Sequence, residues 1–120
     1  MGIKLAKALG HDVLAISTSA NKKSLAMDKG ATMFAVSKDP ESMKQFAGKC
    51  DIILNTVAAN HDMNVYLPLL AKGGSTIVQI GGAVAPHAIS QIPLMFNRYI
   101  ICSLPLCIMI LNYLPIFKLL

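Results

Sequence analysis

The chain has 120 residues, enough for one small domain. It is 54% hydrophobic and only 14% charged, which excludes a disordered chain and leaves a globular or membrane-associated one. The net charge of +5 is spread over scattered lysines, with Lys22-Lys23 the one adjacent pair and no aromatic-interleaved basic patch, so no nucleic-acid partner is expected.

The first segment, MGIKLAKALG, reads as a helix with Ile3, Leu5, Ala6 and Leu9 mostly on one face and Gly10 as its stop. Asp12 to Ser17 (DVLAIS) is a short apolar run of strand type. Asn21 is expected to cap a second helix over Lys22 to Lys29, ended by Gly30. Ala31 to Val36 reads as the next strand. Pro40 to Ala47 reads as a helix begun by Asp39, with Pro40 in its first position. Asp51 to Thr56 (DIILNT) is apolar enough to be a strand buried on both faces.

His61 to Leu70 follows as a predicted helix despite Pro68, and Gly73-Gly74 breaks it. Ser75 to Ile80 (STIVQI) is a strand closed by Gly81-Gly82, a short helix falls around Pro93 to Phe96, and Tyr99 to Cys102 reads as a last strand. Strand and helix alternate throughout, the pattern of a parallel sheet with helices on both faces. Cysteines 50, 102 and 107 are odd in number and form no CxxC pair, and Lys4 and Lys7 interrupt any apolar leader. A reducing, cytoplasmic setting is expected.

Residues 1 to about 103 resemble the cofactor domain of zinc-dependent, medium-chain alcohol dehydrogenases. The branch they resemble is that of the NADP-dependent cinnamyl alcohol dehydrogenases. The segment HDMNVYLPLLAKGG, starting at His61, is similar to the HDLNPYLNLLKRDG type of run in that branch, and its role looks structural. A GLGGLGH-type loop stands directly before a segment like MGIKLAKALG in these relatives. The resemblance therefore implies an α/β, partial Rossmann fold in which the first strand and the phosphate-cradling glycine loop are expected to be missing. In the strand order 3-2-1-4-5-6 that strand lies between strands two and four. DVLAIS and DIILNT would each lose a ladder partner, at about 1–3 kcal/mol per buried unpaired group. Set against a total stability of roughly 5–15 kcal/mol, that loss predicts a domain not stable alone.

Within this resemblance the cofactor site falls on several turns. Ser17, Thr18 and Ser19, followed by Lys22 with Lys23 as a substitute, stand where an acidic residue would select NAD. No Asp or Glu occurs between Asp12 and Asp28, and hydroxyls with a nearby lysine suit a 2′-phosphate, hence NADP. Asn55-Thr56-Val57 resembles the family's DTV, with Thr56 and Val57 bordering the cofactor and Asn55 in place of Asp. Ile80, Gly81 and Gly82 match the site where small residues let the backbone approach the nicotinamide ribose. Ser103 corresponds to a serine near the nicotinamide.

No catalytic residue is expected in this chain. No metal site is expected either, because the family's zinc ligands lie mainly in another domain and three dispersed cysteines and histidines cannot replace them. His11 and His87 read as surface residues and Cys50 as a small apolar one. After Ser103 the family's polar amphipathic helix gives way to an apolar tail, Leu104 to Leu120 (LPLCIMILNYLPIFKLL). The expected division is residues 1–103, an incomplete NADP-binding domain, and 104–120, a divergent tail of frameshift type. The implied parent is an NADP(H)-dependent reductase of aldehydes to primary alcohols, with zinc, an aldehyde or alcohol substrate and a homo-oligomeric state; this chain alone is expected to be inactive. The alternative is a non-catalytic truncated protein, membrane-associated through residues 99–120, a length near the ~20 residues that span a bilayer. Pro105, Asn112 and Pro115 stand against it.

Overall fold

The computed structural model describes residues 2–81, 88–97 and 100–103. Helix α1 (Gly2–Ala8) leads into strand β1 (Leu14–Ser17), followed by α2 (Lys23–Asp28) and β2 (Met33–Val36). Helix α3 (Pro40–Lys44) precedes β3 (Ile52–Asn55), and β4 (Thr76–Gln79), α4 (Gln91–Asn97) and β5 (Ile100–Ser103) complete the order. Each strand follows a helix or helical turn, and every pairing is parallel: β1 with β2, β3 with β4, and β4 with β5. This is a partial Rossmann α/β fold. Its ladders form two sheets, β1-β2 and β3-β4-β5, because β1 and β3 do not pair with each other.

Local chemistry sets the helix ends. Gly10 and Gly30 take φ of +83° and +103°, left-handed values that favour glycine. At each, paired hydrogen bonds close the preceding helix: Gly10 N and His11 N donate to Lys7 O and Ala6 O, and Gly30 N and Ala31 N donate to Met27 O and Ala26 O. Asp39 caps α3 as expected, its carboxylate accepting from Glu41 N at 3.1 Å.

Three expectations change. Asn21 is not a cap: Ser19 accepts from Asn21 N, and Ala20–Lys22 forms a 3₁₀ turn ahead of α2. The segment from His61 to Leu70 is not one helix but two 3₁₀ turns, Met63–Val65 and Leu67–Leu69. Pro68 has no N–H to donate and its ring blocks the preceding turn, so an α-helix cannot run through it. On α1 only Ala6 is buried, while Leu5 and Leu9 are 56% and 57% exposed. Of the apolar stripe only Ala6 and, in part, Ile3 are covered.

The main core joins the two sheets. Leu14 of β1 and Ala35 of β2 share one buried cluster with Ile53, Ile77, Cys50, Leu69 and Leu70. A second cluster covers the other face of β3 and β4, with Ile52 and Val78 buried and Leu54 against them. Burial on both faces explains the unbroken apolar run of DIILNT. Leu67, Leu69 and Leu70 are buried in the main cluster, in keeping with a structural role for their segment. Cys50 bridges to this segment: its N–H donates to Leu69 O and its carbonyl accepts from Ala71 N, both at 2.8 Å.

Ile100–Ser103 is a strand of the second sheet, which takes the opening residues of the conjectured membrane segment into β5. No helix among the described residues is long and apolar enough to cross a membrane. Gly82, His87 and the tail 104–120 lie outside the described residues.

Two outcomes follow from this packing. Ile77 has no exposed surface, so Ile77→Ala is expected to lower stability by about 2–5 kcal/mol. Leu9→Gln is expected to stay within about 0.5 kcal/mol, both read by urea unfolding. Burial, then the neighbouring Asp51 charge, pushes the Cys50 thiol up from 9.0 to about 11. The unfolded thiol ionises at the lower value, so its stabilising contribution is whole below pH 9 and is lost between pH 9 and about 11. Unfolding curves across that range are expected to fall less steeply for Cys50→Ala; identical slopes would refute the assignment.

Candidate nucleotide site

The residues singled out from the sequence lie at strand ends. Ser17 is the last residue of β1 and Ser103 of β5, Thr56 and Val57 directly follow the end of β3 at Asn55, and Ile80 and Gly81 directly follow the end of β4 at Gln79. In open α/β sheets the crevice beyond the carboxyl ends of the strands is where ligands bind. Gly82 and the Ser103 side chain lie outside the described part of the structure.

At the first of these ends, Ser17 Oγ accepts from Ser19 N at 3.4 Å and Ser19 Oγ accepts from Asn21 N at 3.3 Å. Both hydroxyls act as acceptors toward the backbone and keep their own O–H to donate. Thr18, Lys22 and Lys23 are exposed, and the ion pair found among the described residues joins Lys44 to Glu41 elsewhere. The turn thus presents hydroxyl donors and two cations with no acidic side chain between Asp12 and Asp28.

At the second end, one side chain ties the turns together. Asn55 is 7% exposed, and its Oδ1 accepts from Val57 N at 3.2 Å. Its Nδ2 faces His61 Nε2 at 2.9 Å and Gln79 Oε1 at 2.8 Å. The Ala59 carbonyl can only accept, so His61 Nδ1 donates to it at 2.7 Å and Nε2 accepts from Asn55. Gln79 Nε2 in turn donates to Gly81 O. The backbone completes the tie, with Ile80 N and Gly81 N both donating to Asn55 O, at 2.8 and 3.0 Å.

Thr56 and Val57, exposed themselves, are therefore held against Ile80 and Gly81. A Cβ built on Gly81 would fall on the Val57 carbonyl and the Thr56 backbone. The glycine is needed for this internal contact, whatever ligand approaches it. His61, which opens the segment read as structural, is half-buried and part of the network. Sequence reasoning noted Asn55 as a departure from Asp but missed its partners, because Gln79 is 24 residues away and nothing local marks the pair.

Asn55 and Val57 also line a cleft of about 110 Å³. Leu14 and Ile16 of β1 form one wall, Ile52 to Leu54 of β3 the other, and Met63 and Tyr66 close it. Among the described residues no charged side chain lines it, and no group of three His, Cys, Asp or Glu could hold a metal.

Asn55→Leu would take the hydrogen-bond partner from Val57 N and from Gln79 Oε1, both in part-buried bonds, and put an apolar side chain among the polar groups that surround Asn55. A loss of about 1–3 kcal/mol is expected, measured by urea unfolding, together with faster hydrogen exchange at the Val57 amide. An unchanged midpoint would show that the network is not formed.

Comparison with known proteins agrees with this architecture. A cinnamyl alcohol dehydrogenase of Sorghum bicolor superposes with a TM-score of 0.81 and 31% identity, over 84% of this chain and 29% of that one. A probable mannitol dehydrogenase of Medicago sativa is 43% identical over 102 residues, 84% of this chain and 28% of the relative. The NADP-dependent alcohol dehydrogenase C 1 of Mycolicibacterium smegmatis is 39% identical over 98 residues, 82% of this chain and 28% of the relative. The chain thus spans less than a third of the length of these relatives. Residues 1–105 match the zinc-binding dehydrogenase family, and with these strands, turns and likenesses the chain belongs to that family.

Proposed function

We propose that this chain supplies part of the NADP(H)-binding domain of a zinc-type alcohol dehydrogenase that reduces aldehydes to primary alcohols. The observation that carries the reading is the turn after β1, where Ser17 to Ser19 and Lys22-Lys23 meet no acidic side chain. A 2′-phosphate placed there would accept from the Ser17, Thr18 and Ser19 hydroxyls and be balanced by Lys22 or Lys23. A carboxylate in the same place would repel it. The name of the Mycolicibacterium relative, an NADP-dependent alcohol dehydrogenase, supports the same cofactor.

Bound NADPH would supply the hydride. The residues of this chain would orient it: Thr56, Val57, Ile80 and Gly81 form a wall that Asn55 fixes from behind, and the family resemblance adds Gly82 and Ser103 to the same cofactor site. The zinc of the parent enzyme would, in this reading, be held mainly by residues of its other domain. In this reading residues 1–103 form the incomplete nucleotide domain, 104–120 are a divergent tail, and the chain alone is inactive. Substrate pocket, proton relay and homo-oligomer contacts belong to the rest of a parent enzyme, in the cytoplasm.

Fluorescence titration of the 120-residue chain with NADPH and NADH tests the cofactor reading. NADPH is expected to bind at least about tenfold more tightly, a difference near 1.4 kcal/mol. Ser17→Asp is expected to abolish or reverse that preference. Equal affinities, or no binding of either nucleotide, would overturn it.

A further inference from the structure

We propose that neutral His61 is a latch on the turn over residues 56–61, and that gaining a proton opens it, so that acid loosens the wall formed by Thr56 and Val57. Three backbone groups fix which way the hydrogens of the network point. Val57 N can only donate, so Asn55 turns Oδ1 to it and Nδ2 the other way. The Gly81 carbonyl can only accept, so Gln79 gives it Nε2 and turns Oε1 to Asn55 Nδ2. The Ala59 carbonyl can only accept, so His61 carries its hydrogen on Nδ1 and turns the bare Nε2 to Asn55 Nδ2, 2.9 Å away. One carboxamide thus holds both ends of the turn, at Val57 and at His61.

A second hydrogen on the ring has no place in this arrangement. Protonation sets an N–H on His61 Nε2 against the Nδ2 hydrogens of Asn55, donor against donor. Turning the Asn55 amide over only moves the conflict, because Nδ2 would then face Val57 N and Oδ1 would face Gln79 Oε1. Turning Gln79 as well would set its oxygen against the Gly81 carbonyl. The ring is half-buried, so it can leave toward water, and the turn loses its closure at His61. The Val57 end then holds alone and opens more often. A carboxylate in place of the Asn55 amide would accept from a protonated ring; the amide ties the contact to the neutral one. Histidine is the side chain that ordinarily changes charge between pH 5 and 8. Asn55 of β3 and Gln79 of β4 bring no charge to this ring, and the Tyr66 ring meets it edge-on with centroids 5.9 Å apart. Asp62, next in the chain, turns Oδ1 to Asn64, accepting from its N and Nδ2 at 2.9 Å each.

The latch stands on these hydrogen bonds, while its effect on a bound cofactor rests on the nucleotide reading. The test follows the 120-residue chain by NMR from about pH 8 to about pH 5. At the upper end, nitrogen-15 shifts of the His61 ring are expected to place the hydrogen on Nδ1. On acidification the protection factor of the Val57 amide, corrected for the intrinsic effect of pH on exchange, is expected to fall at least about tenfold, in step with protonation of the ring. The Ile77 amide, in the core, is expected to keep its protection. His61→Gln offers an amide oxygen that accepts and does not titrate, and its Val57 protection is expected to change less than about twofold over the same range. A hydrogen on Nε2 at the upper end, or a Val57 amide indifferent to the charge of the ring, would overturn the proposal. So would an equal fall in His61→Gln, which traces the effect to another group, or an equal fall at Ile77, which is global unfolding. The ring measurement needs no variant and decides even where His61→Gln does not fold. NADPH titrated at both ends of a pH 8 to 6 range separates the two readings. Affinity is expected to fall more in the unaltered chain than in His61→Gln, and an equal fall would overturn the effect on the cofactor. No nucleotide binding at either pH, with the Val57 response intact, would overturn the nucleotide reading and leave the latch supported.

Discussion

A parallel strand inside a sheet serves two neighbours, giving alternate backbone groups to each, and this constraint governs the molecule. Among the described residues, strands β1 and β3 each have one neighbour, so the ladder stops twice, at two edges that share a cleft. A two-stranded unit such as β1-β2 is marginal alone and needs packing from elsewhere. It receives that packing from side chains: Leu14 and Ala35 enter the same cluster as Ile53, Ile77 and Leu69. The hydrophobic core crosses the line at which backbone pairing ends.

The same division explains the order seen at the strand ends. On the three-stranded side, β3 and β4 are in register from Ile52↔Thr76 to Asn55↔Gln79, which places the Asn55 and Gln79 side chains beside each other. Asn55 then fixes the Thr56-Val57 turn, the His61 ring and, through backbone bonds, Ile80 and Gly81. An amide suits this place because it must donate to Gln79 and His61 while accepting from Val57 N, and a carboxylate could only accept. The Asn is thereby matched by the partners present here.

On the two-stranded side the Ser17 to Ser19 turn is built by short-range bonds alone, from each hydroxyl to an N–H two residues on. It forms without help from the other sheet. The chemistry that would distinguish two nucleotide cofactors is therefore local, while the wall that would orient a nicotinamide is long-range.

Much of the fold was legible in the chain. Alternating apolar runs and glycine stops marked all five strands, and Asp39 with Pro40 marked the start of α3, because these signals act within a few residues. The resemblance of residues 1 to about 103 located the turns of the candidate site for the same reason. What failed depended on competition between neighbours: Ser19 won the capping position from Asn21, and Pro68 split the expected helix into two 3₁₀ turns. The facing of α1 also escaped, since periodicity marks an apolar stripe but not whether anything covers it. Family, strand order and the Ser17 to Lys23 turn were thus set by the sequence alone, through local propensity and pattern. Tertiary structure alone decided that Asn55 meets Gln79 across 24 residues, that Gly81 must be glycine beneath Val57, and that the β1 and β3 edges face one apolar cleft. Each of those depends on the register and spacing of strands far apart in the chain, which no short stretch of residues encodes.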